Sequence, residues 1–153
     1  MKKLLYLTIV LLITFACADA LKANAQTITS STSDNKDRER QKNIEADNIL
    51  INVFETGDVS KLDAVISPDF YNHTGNQRGI DALKISIGQF HGRMKTVKTE
   101  LIRQFADDEY VSDWIRYTGS DPVNVIEGME VTKYLNGKAI EHWFFPYNLK
   151  LAN

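Results

Sequence analysis

The spacing of apolar residues changes once along this chain, from the three-to-four-residue period of helices to the two-residue period of strands, and that change sets the class of fold. Ile44, Ile49, Leu50, Val53 and Phe54 share one helical face ahead of Gly57, a natural residue for the left-handed stop after a helix. Ser60 with Asp63 approximates a capping box and starts a short helix with Leu62, Val65 and Ile66 inward, ended by Ser67-Pro68. Phe70 to His73 reads as a brief extended segment and Gly75-Asn76 as a turn. Ile80, Leu83, Ile87 and Phe90 then mark a third amphipathic helix closing around Gly92. From here the period is two. Val97, Thr99, Leu101, Arg103 and Phe105 alternate with Lys98, Glu100, Ile102 and Gln104, which predicts a strand. Tyr110 to Thr118 is a second strand. Val123 to Leu135 is a third, with a bulge expected at Gly128. Asn136-Gly137 is a type I′ hairpin signal, and the last strand runs from Lys138 to about Tyr147. Three helices followed by an antiparallel meander predict an α+β domain. With so few helices, a strongly curled sheet is the economical way to close a core, and a curled sheet encloses a pocket.

The folded part is one domain over residues 43–153 of the 153-residue chain. Lys2 and Lys3 precede a 13-residue, almost unbroken apolar run from Leu4 to Ala16. That is short of the roughly 20 residues a membrane span needs and suits a secretory signal. Residues 1–25 are therefore expected to be a signal peptide cleaved after Ala25, behind the small-x-small site Ala23-Asn24-Ala25. A lipid anchor at Cys17 is the less favoured alternative, because Thr14-Phe15-Ala16-Cys17 matches a lipobox poorly. The expected location is periplasmic or secreted. Residues 26–42 are Ser/Thr-rich, then almost wholly charged or polar, and predict a disordered tether whose charged end extends the first helix by up to a turn.

Removing Lys2, Lys3, Lys22 and Asp19 with the signal leaves 15 basic and 19 acidic residues, a mildly acidic domain with no footprint for nucleic acid. Cys17 is the only cysteine, and His73, His91 and His142 show no metal-ligand spacing, so no metal site is expected. There is no phosphate-binding Gly-rich loop and no Gly-x-Ser-x-Gly nucleophile turn.

Several residues in this order resemble the SnoaL-like polyketide cyclase and ester cyclase branch of the nuclear transport factor 2-like superfamily. They are Tyr71-Asn72-His73 ahead of Arg78-Gly79, the turn from Asp108 to Val111 leading to Gly119, and the run Asn136-Gly137-Lys138-Ala139-Ile140-Glu141-His142-Trp143. The similarity spans roughly Asn43 to Asn148. It implies a cone-shaped, curled antiparallel-rich sheet packed on three N-terminal helices around a deep apolar pocket, often dimeric through the open sheet face. It also implies cofactor-free acid/base chemistry on a small hydrophobic carbonyl compound, of cyclase, isomerase or lyase type. Cyclases of this kind commonly carry an aspartate just after the Glu-His-Trp run; here Phe144-Phe145-Pro146-Tyr147-Asn148 holds no carboxylate.

The candidate catalytic residues are His73, Glu141, His142 and Asp113. His73 would act as a general base beside a carbonyl, against the plainer reading of a loop-edge histidine bonded to backbone. Glu141 and His142 are strand neighbours and point to opposite faces, so one of them can enter the cone, and both faces are otherwise apolar. If Glu141 entered, the apolar wall would raise its pKa; if His142 entered, it could pair with His73. As a surface group, Glu141 would pair with Arg116 or Lys138. Asp113 and Arg116 lie on opposite faces of the second strand, and Asp113 is the replacement acid/base candidate. Tyr71, Phe90, Trp114, Arg116, Tyr117 and Trp143 are the candidate ligand contacts, with core filling as the plainer role for the aromatics. His91 is expected to face solvent. Two functions compete: an exported enzyme of the kind described, and a non-catalytic protein that binds a small apolar molecule in the same pocket. A homodimer is expected in either case.

Overall fold

A computed structural model describes residues 32–120 and 124–147. The expected signal peptide, Cys17 and the start of the expected tether lie outside them. The account below is of the unit formed by residues 37–153, with the helical residues 32–36 that lead into it. The first helix, α1, is helical from residue 32 to residue 56. It thus runs back through the stretch where sequence predicts a solvated tether. Local pairing supports these polar turns: Arg40 with Asp37 at 3.1 Å, Lys42 with Glu39 at 2.7 Å, and Gln41 donating to Glu45 at 3.1 Å.

The buried stripe of α1 is Asn43, Ala46, Asp47, Leu50 and Val53, a helical face that includes two polar residues the apolar count passes over. A single turn of tight helix at Val59–Lys61 leads into α2, Leu62–Val65. Asp58 caps that turn by accepting from the Ser60 amide at 3.0 Å. Strands β1 (Ile66–Asn72) and β2 (Gln77–Arg78) follow, then α3 (Ile80–Met94), β3 (Lys98–Ala106), β4 (Tyr110–Thr118), β5 (Val125–Leu135) and β6 (Lys138–Pro146). The six strands form one mixed sheet in the order β2-β1-β6-β5-β4-β3. β1 joins it in parallel beside β6, so the short extended segment expected at Phe70–His73 is in fact a seven-residue strand of the sheet.

The helices cover one face. Leu50, Val53, Leu62, Val65, Ile66, Phe70, Leu83 and Ile87 pack with Val111, Tyr134 and Ala139; Phe90, Met94 and Val97 pack with Ile115 and Tyr117. Complete burial of side chains such as Leu62, Ile66 and Ile115 contributes about 1.5–3 kcal/mol each.

Two irregularities decide which side chains reach that face. Between Leu101 and Arg103 the β3–β4 register shifts, so Ile102 is extra and the alternation reverses. Thr99 lies opposite the inward Tyr117, but beyond the shift it is Gln104 that faces inward, opposite Asp113, while Phe105 faces out. Strict alternation through this strand therefore does not hold. Between Lys133 and Tyr134 the β5–β6 register shifts in the same way, with Ile140 as the extra residue. At Gly128 the ladders run on without a shift, contrary to the bulge expected there. The glycine serves close packing instead. A Cβ on it would lie 2.5 Å from the Phe145 carbonyl oxygen and 2.7 Å from the Phe144 ring. The hairpin at Asn136-Gly137 has φ of 53° and 74°, the double left-handed geometry of the expected turn.

Candidate functional site

The bulge at Ile140 settles the choice within Glu141-His142. Ala139 and His142 turn inward, and Glu141 turns out. His142 lies opposite Thr132 and lines a cavity of about 250 Å³ with Phe54, Phe90, Tyr117, Ile126, Glu130 and Phe144. Asn72, Thr74, Ser86 and Arg93 complete its wall. The lining combines aromatic and apolar side chains with a few polar groups, the usual composition of a small-molecule site.

Glu130 is the carboxylate of this cavity, and sequence reasoning missed it. It projects from β5 opposite Phe144, with the Tyr117 hydroxyl donating to its Oε1 at 2.8 Å. Burial pushes its pKa up to about 7; the Tyr117 hydrogen bond pulls down against that, and the nearby Asp113 adds to the rise. Its signal was available in the alternation Ile126-Gly128-Glu130-Thr132-Tyr134. The other face of that strand, with Val125, Met129, Val131 and Leu135, is the more apolar and so looks like the core side.

His142 is shifted the opposite way. Burial, and to a lesser extent the proximity of His73, lowers its pKa to about 4, so the ring is neutral at neutral pH. Its Nδ1 lies 3.5 Å from Asn72 Oδ1, which also accepts from the Thr74 amide at 3.1 Å. That contact assigns the proton to Nδ1 and leaves Nε2 as an acceptor, and Nε2 is buried with no hydrogen-bond partner among the described residues.

Behind Glu130 sits a second acidic pair. Asp113 faces inward, as one of its two readings expects, and Asp47 of α1 meets it. Burial raises both carboxyls above the usual range, and the two side chains are hydrogen-bonded to each other. Tyr134 donates to Asp47 at 2.7 Å and Gln104 reaches it at 3.5 Å.

His73 and Glu141 do form a pair, His73 Nε2 to Glu141 Oε2 at 2.7 Å, but on the outer face of the sheet and away from the cavity. The His73 ring stacks on Trp143 with centroids 4.3 Å apart, and Tyr71 packs edge-on to it beneath the Arg78 guanidinium. So the His73 ring pairs with neither the His142 ring nor a cavity group, although the His73 amide donates to the His142 carbonyl at 2.9 Å, and Glu141 bonds neither Arg116 nor Lys138. Arg116 instead joins Glu127 and Glu100 at 2.8 Å each, and Lys138 donates to the Asp63 carbonyl at 3.0 Å. Trp114 also lies outside, donating to Glu127 at 2.8 Å. Of the aromatic candidates only Phe90 and Tyr117 touch the cavity; Tyr71, Trp114 and Trp143 do not. His91 is partly buried rather than facing solvent, its Nε2 3.0 Å from the Phe54 carbonyl and its ring against Gly57. Among the described residues no three His, Cys, Asp or Glu side chains are grouped to hold a metal ion, and no helix is long and apolar enough to cross a membrane.

No protein-family model matches the sequence, and no curated protein matches it significantly. Solved structures do match. A SnoaL-like polyketide cyclase from Agrobacterium tumefaciens superposes with a TM-score of 0.60 at 10% identity, over 68% of this chain and 90% of that one. A candidate polyketide cyclase from Bacillus cereus gives 0.64 at 18% identity, over 71% and 76%. A nuclear transport factor 2-like protein of unknown function from Mesorhizobium loti gives 0.61 at 16%, over 71% and 93%. The chain has the fold shared by SnoaL-like polyketide cyclases and nuclear transport factor 2-like proteins, the fold its residues resemble.

Proposed function

We propose that this protein catalyses cofactor-free proton transfer at carbon beside a carbonyl, on a small hydrophobic compound held in the cavity. The observation that carries this reading is Glu130, a carboxyl with a pKa near 7 inside an aromatic cavity. A base poised near ambient pH is the most effective one at that pH. Its position also answers the aspartate missing after Glu-His-Trp. The first residue after that run is Phe144, and Glu130 stands directly across from it on the neighbouring strand. The carboxylate has moved one strand over on the same wall.

In this mechanism the Glu130 carboxylate takes a proton from the carbon next to the carbonyl. The C–H electron pair becomes the new C=C bond, and the carbonyl π pair moves onto oxygen. Asn72 Oδ1 is held by Thr74 and His142, so its amide NH2 is the donor for that oxygen. His142 Nε2 accepts from a ligand hydroxyl. Glu130 then returns the proton to the same carbon or another. The measurement is deuterium wash-in from heavy water beside the ketone of propiophenone and related aryl ketones, followed by proton NMR. Exchange above the buffer rate, rising with pH through an apparent pKa of about 7, is expected. Saturable binding with no exchange across the panel would overturn the enzyme reading. It would leave the alternative, a carrier or sensor of an apolar ligand, which the phenylalanine at 144 favours.

The outer sheet face supports a homodimer. Phe105, Trp114, Phe145 and Tyr147 lie exposed on it or beside it, Phe145 at 56%, and exposed apolar faces of this kind usually mark interfaces. The basic start and apolar run of the first 25 residues support export to the periplasm or medium. Native mass spectrometry of the protein from its own source reads both. A dimer of chains beginning at Gln26 is expected; a monomer, or an uncleaved chain, would reject the corresponding inference.

A further inference from the structure

The cavity has a polarity along its length that the proton-transfer reading does not use. Its lining holds two charged side chains, Glu130 and Arg93. Glu130 is buried, with Asp113 and Asp47 behind it. Arg93 lies in the last turn of α3, where its side chain is exposed and has no carboxylate partner among the described residues. The α3 carbonyls nearby are already engaged: His91 O accepts from the Lys95 amide at 2.8 Å and Met94 O from the Ser120 amide at 3.1 Å. The Arg93 guanidinium is thus the cationic side chain that the cavity wall presents. The apolar part of the same wall is Phe54, Phe90, Ile126 and Phe144.

We infer that the ligand of this cavity is an amphipathic acid, with its carbonyl end at Glu130 and a carboxylate at the other end paired with Arg93. The inference rests on the cavity being the binding site and adds the substrate class and its orientation. Two opposed effects impose that orientation. An anion at the inner end would lose its hydration among three carboxyl groups, an arrangement that low dielectric penalises heavily. At the Arg93 end the same anion keeps access to water and gains a planar donor fork suited to a carboxylate. The cavity volume of about 250 Å³ lies just below the roughly 300–1,000 Å³ of drug-sized sites, so the apolar body between the two ends is short.

The test uses γ-benzoylbutyrate, an aryl ketone ending in a carboxylate, and its uncharged amide, titrated by calorimetry into the purified protein at low and at physiological salt. The wild type is expected to bind the carboxylate about tenfold more tightly than the amide, the scale of a hydrogen bond to a charged group. Arg93→Gln should bring the two ligands to parity without weakening the amide, and Arg93→Lys should retain part of the preference. Since Arg93 is exposed, an unchanged melting temperature confirms that each variant is folded. Equal affinities in the wild type, or a preference that survives Arg93→Gln, would reject the amphipathic acid and leave the cavity reading intact. Binding of neither ligand would overturn both.

Discussion

Glu130→Gln should lower carbon-proton exchange by about 10²–10⁴-fold, the range general acid/base groups contribute, while the protein stays folded. The substitution is nearly isosteric. The amide oxygen still accepts from Tyr117, whose hydroxyl lies 2.8 Å from Oε1, so the wall of the cavity keeps its shape. What is lost is an atom able to take a proton. The rise in rate through an apparent pKa of about 7 should vanish with it, because that rise is the deprotonation of this one side chain. Exchange measured by NMR over pH 5–9, beside the melting temperature of the same sample, separates the two effects. Undiminished exchange in Glu130→Gln would remove the residue from the mechanism, whatever its pKa. His142 is the natural next candidate, since its Nε2 is the other unprotonated acceptor on the wall.

The second large effect is on stability, and its sign follows from how each buried group titrates. Glu130 has its folded pKa raised to about 7 from 4.5, so the stability it contributes is fully present below the unfolded value and is lost as pH rises through the folded one. Asp47 and Asp113 are raised as well and act in the same direction. His142, lowered to about 4 from 6.5, acts the opposite way: its contribution is lost as pH falls from 6.5 towards 4. Across the window where both titrate the effects oppose one another. Above pH 6.5 only the carboxyls remain, and the melting temperature should fall steadily towards pH 8. Asp47→Asn should flatten that fall. The amide keeps a donor for Asp113 and an oxygen for Tyr134, and it cannot ionise. Melting curves from pH 5 to pH 8 check this. A wild-type melting temperature that climbs from pH 6.5 to pH 8 would mean that these carboxyls are not held protonated by burial.

The two shifted groups of the cavity meet a general description of acid/base sites, in which neighbouring environments push titratable groups apart. Here burial alone does most of that work. It makes a carboxyl weaker as an acid and an imidazole weaker as a base, so at pH 7 His142 is neutral and Glu130 is divided between its acid and carboxylate forms. Such an interior tolerates an apolar substrate body and still offers one proton acceptor of suitable strength. The outer pair of His73 and Glu141 shows the contrast. The residue types are similar and the contact is 2.7 Å long, but both side chains are about one-third exposed, and the outer-face pocket that Glu141 lines with Asp69, Tyr71, Arg78 and Ile140 is separate from the cavity of Glu130 and His142.

Much of the architecture was legible from the chain. The three helices, the four long strands and the Asn136-Gly137 hairpin follow from apolar spacing and turn chemistry, which are local properties. The resemblance carried by Tyr71-Asn72-His73 and by the run ending at Trp143 pointed to the same fold. Strand β1 was shortened in that reading because Ser67-Pro68 interrupts its pattern, and its pairing partner β6 lies about 70 residues away. Asp47 was overlooked because a charged residue on a helix normally faces water. Tyr134 and Gln104, both donating from distant strands, and Asp113 make its burial tolerable.

The amino-acid sequence by itself determined the order and type of the elements, the curled-sheet class of fold and the expectation of an apolar pocket. It narrowed the inward member of Glu141-His142 to two choices and could go no further. The tertiary structure decided that choice through one extra residue at Ile140, and it placed Glu130 rather than Glu141 inside. The physical reason is that strand alternation has a period of two: a single inserted residue exchanges every side chain between the two faces. Where such a residue is accommodated depends on the neighbouring strands, a long-range property that no local pattern of residues records.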